Sequence, residues 1–357
     1  MKILFITDLY PVKTDEISTP KTLFNFVKDW ENFGHSIDII KPNFILNSFV
    51  RKKPFYKTGK YENILNLNYW MPFIGNIKKK FNNLNEYDLI IAHMPSGILF
   101  ADKLGRPFVA GIHNSDIEVL TKPIYKFYFG RRLKKALDNS KAIACRSDVL
   151  KDKLLKLYPE YKEKTFTAPS GINLEIINNN INFEINEPLK IITCAKFIKR
   201  KNIDKVIQAC KNLNKVELTV IGDGKLRHKL EQIDKNVIFT GWLKPEEVYK
   251  KLRESDVFIL PSKNETFGMV YLEAMASGCI TVCRKNDGIA GIIKNNENGF
   301  LIEADSQKIR ELILYIKNAD TQNIKNLKMN SINTIKNYTN EKCSQNYINQ
   351  ILKFCND

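Results

Sequence analysis

Residues 257–283 read Val257-Phe-Ile-Leu260-Pro-Ser-Lys-Asn-Glu265-Thr-Phe-Gly268-Met-Val-Tyr-Leu-Glu273-Ala-Met-Ala-Ser-Gly278-Cys-Ile280-Thr-Val-Cys283. Val257–Leu260 is an unbroken apolar run, the pattern of a strand covered on both faces. Pro261, Ser262 and Asn264 make the loop that follows, and a helix opens at Gly268 and runs to Ala276. Ile280–Cys283 is a second apolar run. Strand, helix and strand in so short a segment make a βαβ unit, whose strands pair in parallel.

The unit is one of a series. Before it come strand Leu189–Phe197, helix Ile203–Leu213, strand Val216–Ile221, the turn Gly222-Asp-Gly224, strand Val237–Thr240 and helix Pro245–Glu254; after it comes strand Phe300–Ile302. The first half follows the same plan, with strands Lys2–Thr7, Ser36–Lys41, Ile64–Tyr69, Asp88–His93, Pro107–His113, Ala142–Arg146 and Thr165–Ala168. Its first helix has a legible start. Thr19 caps it, Pro20 takes the first helical position, and Leu23, Phe26, Val27 and Trp30 form the buried stripe before Gly34. Between the halves, Asn173–Pro188 has an asparagine tract and little apolar periodicity, which reads as a linker. The expectation is an α/β chain of two domains, 1–172 and 189–339, joined by residues 173–188. Two such domains predict a cleft, with ligands outside the carboxyl ends of the strands. The tail beyond Lys308 is helical and polar. Its last stretch, Tyr347, Ile348, Ile351, Leu352 and Phe354, has an apolar face that must cover some surface.

Composition bounds the rest. At 357 residues the chain is long enough for two cores, and 43% hydrophobic with 11% aromatic residues excludes a disordered chain. No apolar run reaches the roughly eighteen residues of a membrane span. The opening strand turns polar at Thr7 and Asp8 with no small-residue cleavage site, so no signal peptide is expected. Seven cysteines, odd in number and set inside apolar patterns, suit a reduced, cytoplasmic protein. Cys279 and Cys283 lack a second pair or a nearby histidine, which argues against zinc. Lys+Arg 56 against Asp+Glu 39 gives +17, a charge that draws nucleic acid, anionic headgroups or phosphorylated small molecules. Lysine, asparagine and isoleucine are abundant together, so charge alone names no partner.

The chemistry concentrates after Leu260. A helix that opens at Gly268 presents free amides and the positive end of its dipole, an anion site. Glu265 and Glu273 stand on either side of it, seven residues intervening. A carboxylate repels a bound phosphate, so both should face hydrogen-bond donors. Sugar hydroxyls are the obvious ones, and a nucleotide sugar offers two sets, ribose and hexose. The alternative is a capped surface helix with ordinary acidic residues, which suits either glutamate alone but not the whole string.

This segment resembles the E-x7-E signature of retaining glycosyltransferases of family 4. Val220-Ile-Gly-Asp-Gly224 is similar to that family's glycine–aspartate–glycine turn, and Val237–Leu243, Asp256–Ser262 and Ala195–Asp204 are similar to its other nucleotide-side segments. The likeness covers the C-terminal half. Met1–Asp8, Phe33–Ile39, His113-Asn-Ser-Asp116 and Ala168–Asn173 match more loosely. The resemblance implies the GT-B fold, with two Rossmann-like domains facing across a cleft and a C-terminal helix, about 340–357, returning to the first domain. It implies transfer of a sugar from a nucleoside diphosphate sugar, a UDP-sugar favoured, to a glycan or lipid-linked acceptor in bacterial cell-surface polysaccharide synthesis.

Carried over position by position, the resemblance implies that Glu273 holds the ribose hydroxyls and Glu265 those of the donor sugar. Phe267, Gly268, Met269 and Val270 present amides to sugar and diphosphate, with Gly222, Gly241 and Ser262 also on the donor side. Lys201 binds the diphosphate. Lys196 stands where an arginine is usual, keeping the charge without the bidentate fork. Trp242 either lines the base pocket or is a plain core aromatic. His113 points into the cleft near the reacting sugar, with Asp8, Asn114 and Asp116 on the acceptor side; His35, His93 and His228 are left as background. The loop Leu9–Thr19 lacks the paired glycines many members have there, and Ser170 replaces an asparagine. The sequence contains no Asp-x-Asp and no hydrolase-like acid–base pair, so no metal or other cofactor is expected. Lys196, Lys201 and the Gly268 helix end are then the electrostatic catalysts.

Residues 122–137 mix aromatic and basic side chains. Tyr125, Phe129, Leu133 and Leu137 recur at spacing four, with Arg131, Lys134 and Lys135 elsewhere on the wheel. This predicts docking on an anionic membrane, and hence a cytoplasmic protein peripheral on the inner face, or else a domain helix with a solvated basic side. Rival readings are a non-catalytic nucleotide-sugar or polyanion-binding module and a GT-B epimerase or phosphorylase. Nucleic-acid binding fits the charge, but no motif for it is present.

Overall fold

The computed structural model describes residues 1–11, 22–43, 61–65, 84–178 and 180–355. The chain divides into two compact units, Met1–Ser170 with Asn340–Asp357, and Gly171–Thr339.

Among the described residues the first unit is built on seven parallel strands: β1 (Lys2–Ile6), β2 (Ser36–Asn43), β3 (Tyr61–Leu65), β4 (Leu89–His93), β5 (Val109–Ile112), β6 (Ala142–Cys145) and β7 (Thr165–Thr167). They lie in the order β3-β2-β1-β4-β5-β6-β7. β4, β5 and β6 are buried at every residue, as strands flanked by helices on both faces must be. The helices are α1 (Thr22–Asn32), α2 (Met94–Leu104), α3 (Asn114–Thr121), the single turn α4 (Pro123–Tyr125), α5 (Arg131–Asn139) and α6 (Asp148–Leu157). α1 buries Leu23, Phe26, Val27 and Trp30, as its spacing requires. Thr19 and Pro20 at its expected start lie outside the described residues, as do residues 66–69 of the expected third strand and most of the loop Leu9–Thr19. α2 comes close to β1 because Gly97 has no side chain; a Cβ there would stand 2.7 Å from the Ile6 carbonyl oxygen.

The second unit has six parallel strands, β8 (Leu189–Cys194), β9 (Val216–Ile221), β10 (Ile238–Gly241), β11 (Val257–Leu260), β12 (Ile280–Arg284) and β13 (Phe300–Ile302), in the order β10-β9-β8-β11-β12-β13. Its helices are α7 (Ile203–Cys210), α8 (Arg227–Glu231), α9 (Pro245–Arg253), α10 (Met269–Ser277), α11 (Ser306–Lys317) and α12 (Thr321–Ile335). Residues 173–178 and 180–188, expected to be part of a linker, belong to this unit. Ile176 and Ile177 are buried in its core, and the Asn178 amide donates to the Ala276 carbonyl at 2.7 Å. The asparagines that resemble linker composition close local turns instead. Asn173, Asn178 and Asn182 each accept, through Oδ1, the amide two residues on.

The last helix, α13 (Asn340–Cys355), belongs to the first unit. Tyr347, Ile348 and Ile351 are its buried face, and the Trp30 indole of α1 donates to the Ser344 carbonyl at 3.0 Å. Among the described residues no helix is long and apolar enough to cross a membrane.

In each sheet the strand order reverses at one place, between β1 and β4 and between β8 and β11. Connections leave such a point in opposite directions and open a crevice beyond the carboxyl ends of the two strands. At or just beyond those ends stand Thr7 and Asp8, His93 and Met94, Ala195 and Lys196, and Pro261 and Ser262.

Candidate active site

In the second unit the crevice is built where β11 ends. Pro261 and Ser262 are buried, and the loop then turns through Asn264 at φ 59°. The Asp287 carboxylate holds this turn, accepting the Asn264 amide at 2.5 Å and the Glu265 amide at 2.7 Å. Gly288 leaves room for the Glu265 side chain, since a Cβ there would stand 2.7 Å from Glu265 Cβ. Glu265 Oε1 accepts from Ser262 Oγ at 2.6 Å, from Arg200 Nη1 at 3.0 Å and from Lys201 Nζ. Burial pushes the Glu265 carboxyl up, but the Lys201 charge and hydrogen bond, with help from Ser262 and Arg200, outweigh it and hold the group below its ordinary range. A carboxylate so held stays ionised.

Lys201 is placed by its backbone. The turn Lys199–Lys201 ends at Asn202 in the left-handed region, φ 52°. Asn202 Nδ2 donates to the Pro261 carbonyl at 2.8 Å, and the Lys263 amide donates to the Arg200 carbonyl at 2.7 Å. The loops after β8 and β11 are thereby stitched together with a cation and a carboxylate between them.

Gly268 takes φ 93° just before α10, and Tyr271 packs under it; a Cβ there would stand 2.5 Å from the tyrosine ring. The Tyr271 hydroxyl donates to the Leu260 carbonyl at 2.7 Å, which ties the helix start to the strand end. The first amides of α10 have no acceptor within the helix. Phe267 is buried, Met269 and Val270 partly so. Glu273, in the second turn, is partly buried and its carboxyl makes no hydrogen bond or ion pair with the described residues; burial pushes that carboxyl up to about 7.

In the first unit, buried polar side chains gather beyond β1, β4 and β5. His113 precedes α3, and its amide donates to Asp116 Oδ2 at 2.8 Å. Its ring Nε2 lies 3.0 Å from His93 Nδ1, and His93 Nε2 lies 3.0 Å from the Tyr347 hydroxyl of α13. Burial and then the Arg146 charge push His113 down to about 3. Burial, His113 and Arg146 push His93 well below its ordinary value. Both imidazoles are therefore neutral at physiological pH. Arg146 is itself buried; it donates to the Ala168 carbonyl at 2.7 Å and to the Ser170 hydroxyl, and lies over the Phe26 ring at 4.6 Å. Asp8 Oδ1 and Asp116 Oδ1 are buried with no hydrogen-bond partner among the described residues. Burial raises both carboxyls, and the Asp8 charge raises Asp116 further. Among the described residues no group of three or more His, Cys, Asp or Glu side chains is placed to hold a metal ion.

Residues 176–334 match the sequence model of the glycosyl transferases group 1, and residues 21–176 match that of glycosyltransferase family 4. The chain belongs to glycosyltransferase family 4. Two relatives and one solved structure are similar to the chain. An uncharacterized glycosyltransferase of Methanocaldococcus jannaschii is 28% identical over 96% of this chain and 95% of its own. A putative teichuronic acid biosynthesis glycosyltransferase of Bacillus subtilis is 25% identical over 88% of each. HepE of Anabaena, solved in complex with UDP, superposes with a TM-score of 0.73 at 15% identity, over 99% of this chain and 100% of that one. The last likeness carries the fold, which is GT-B.

Within this glycosyltransferase, Lys201, Ser262 and Glu265 form one network beside the Gly268 helix end. The Lys196 side chain is exposed and has no hydrogen bond or ion pair with the described residues, so it stands outside that network. The Gly222 amide donates to the Gly241 carbonyl at 2.9 Å, and a Cβ on Gly222 would stand 2.0 Å from the Ala195 carbonyl oxygen. The glycine turn therefore lies against the end of β8. Trp242 is 64% exposed, which excludes the core reading. Asn114 is the partly buried first residue of α3. In the glycosyltransferase's first unit His93, to which the sequence alone gives no role, is bonded to His113. The available sign was Gly111, a glycine inside an apolar strand. It pairs with His93 in register, and a Cβ there would stand 2.1 Å from His93 Nδ1.

Proposed function

We propose that this glycosyltransferase moves a sugar, with retention of anomeric configuration, from a nucleoside diphosphate sugar to a glycan or lipid-linked acceptor. The observation that carries the reading is the Lys201–Glu265–Ser262 network set against the amide end of α10, with Glu273 further along the same helix. In the reaction the anomeric carbon–oxygen bond to the diphosphate breaks, and a bond to the acceptor oxygen forms. The acceptor's proton passes to the departing phosphate. Negative charge grows on the diphosphate, where the Lys201 cation, the exposed Lys196 and the α10 amides oppose it. Glu265, kept ionised, accepts hydroxyls of the transferred sugar, and Glu273 accepts those of the ribose. Asp8, Asn114, Asp116 and His113 serve the acceptor side. The lysines supply the cationic assistance, so turnover should persist in a chelator.

A UDP donor is favoured because HepE was solved with UDP, and cell-surface polysaccharide synthesis because the Bacillus relative bears a teichuronic acid name. Thermal shift against UDP-, GDP- and ADP-sugars tests the donor, since a ligand that binds only the folded state raises its stability. No stabilisation by any of them overturns the reading.

Membrane docking on the cytoplasmic face is part of the proposal. Ile124, Tyr125, Phe127 and Tyr128 are 71, 45, 83 and 63% exposed, beside exposed Lys122, Lys126, Arg131 and Lys135. Tyr125 was expected on the apolar stripe with Phe129, Leu133 and Leu137, but only the last three are buried. A π-helical turn over Lys126–Gly130 adds a residue to the turn and rotates Tyr125 off the stripe. Cosedimentation with anionic liposomes should fall as salt rises. No binding at low salt removes this part.

A further inference from the structure

Two imidazoles and a phenol form one buried chain in the first unit, and the transfer mechanism as proposed uses neither His93 nor Tyr347. Three features hold His93 in it. Gly111 gives the ring its space, as the 2.1 Å approach of a Cβ requires. Met94, the next residue, takes φ 69°, which for a side-chain-bearing residue costs about 1–2 kcal/mol. The Phe5 and Tyr347 rings pack on the imidazole at 5.4 and 6.0 Å between centroids. Strain of this kind persists only where the surroundings over-determine it.

Assigning protons gives the chain a direction. Burial pushes the Tyr347 hydroxyl up, so it stays protonated, and its hydrogen-bond partner is His93 Nε2. A neutral His93 that accepts at Nε2 carries its proton on Nδ1 and donates it to His113 Nε2. A neutral His113 that accepts at Nε2 carries its own proton on Nδ1. The start of α3 makes its bonds with the His113 backbone: the Asp116 amide goes to the His113 carbonyl at 3.1 Å, and the His113 amide to Asp116 Oδ2.

We propose that Tyr347 and His93 are positioning residues that lock the tautomer of His113, making its Nδ1–H a fixed donor to an oxygen of the reacting sugar. The contact with sugar rests on the reading of His113 given above; the tautomer lock does not. The lock also ties α13, at the far end of the sequence, to the chemistry of β4 and β5.

The experiment is two-bond 1H–15N spectroscopy of the histidine side chains in the 15N-labelled full-length protein, which has four histidines. At neutral pH, His93 and His113 should both appear as neutral Nδ1–H tautomers. Tyr347→Phe, which removes one oxygen, should leave His93 a mixture of tautomers. It should lower kcat about five- to tenfold with donor KM within about twofold, the loss of one buried hydrogen bond expressed in the transition state. A wild-type spectrum with Nε2–H or imidazolium at either histidine overturns the proposal. So does a Tyr347→Phe protein with unchanged tautomers or unchanged kcat. Should that variant fail to fold, the wild-type spectrum still decides the lock. If the wild type turns over no sugar donor, the sugar contact falls and the spectra still decide the tautomer.

Discussion

Asp287 stands behind Glu265. Its carboxylate accepts the Glu265 amide at 2.7 Å, while the Glu265 side chain reaches the opposite way to Ser262 and Lys201. The backbone of the site loop thus hangs on a buried carboxylate that touches none of the charged groups of the network directly. Asp287→Ala strands two amides and should cost about 1–3 kcal/mol in chemical denaturation. It should also lower kcat/KM about tenfold, with Asp287→Asn, which keeps an acceptor oxygen, falling between. An Asp287→Ala enzyme with unaltered stability would show that the loop holds itself.

Lys201→Ala should depress kcat by roughly 10²–10³-fold, the range for loss of one preorganised charge-stabilising donor. It also removes the chief opponent of burial at Glu265. That carboxyl is held below its ordinary value, so its contribution to stability is present above the unfolded pKa and lost as pH falls through the folded one. Without Lys201 the loss begins at higher pH. Acid unfolding followed by circular dichroism should move upward in the variant; a midpoint that stays put contradicts the assignment.

Glu273 runs the other way. Its folded value of about 7 exceeds the ordinary 4.5, so between those limits the folded chain binds the extra proton. Stability should fall as pH rises through that window and stay lower above it. Glu273→Gln should therefore be more stable than wild type near pH 8, by about 1–3 kcal/mol, with the difference shrinking toward pH 5. Donor binding should show the reverse, strengthening through pH 7 in the wild type and remaining weak and flat in the variant. Calorimetric titration with the donor at several pH values reads both.

Gly111→Ala places a methyl group where the His93 ring lies, an overpacking that should cost about 1–3 kcal/mol. Combining it with His93→Ala removes the clash, so the double variant should be less destabilised than the sum of the two. Strict additivity would mean that ring and glycine do not compete for space.

Much of this could be read along the chain, and the omissions have a common form. β11, its loop and α10 were legible because apolar run, turn residues and opening glycine are consecutive. Glu265 and Glu273 were legible because they sit on that one segment. Asp287 was not, since its bonds to residues 264 and 265 cross from the far side of β12. Tyr125 leaves the apolar stripe because a π-turn breaks the 3.6-residue period on which a helical wheel depends. Residues 173–188 read as a linker because asparagines that close turns on a packed surface have the same composition as one.

The one-dimensional order of residues determined the alternation of strands and helices, and with it the parallel sheets, because apolar periodicity and helix-capping chemistry act between neighbours. It determined where the anion-binding helix end lies for the same reason. Folding decided that Lys201 meets Glu265, that His93 meets His113 through the β4–β5 register, and that Tyr347 joins them from the last helix. Those meetings depend on strand order, and that of His93 with His113 also on close approach at Gly111. Hydrogen bonds and buried charges act over a few ångströms of space, whatever number of residues separates the partners.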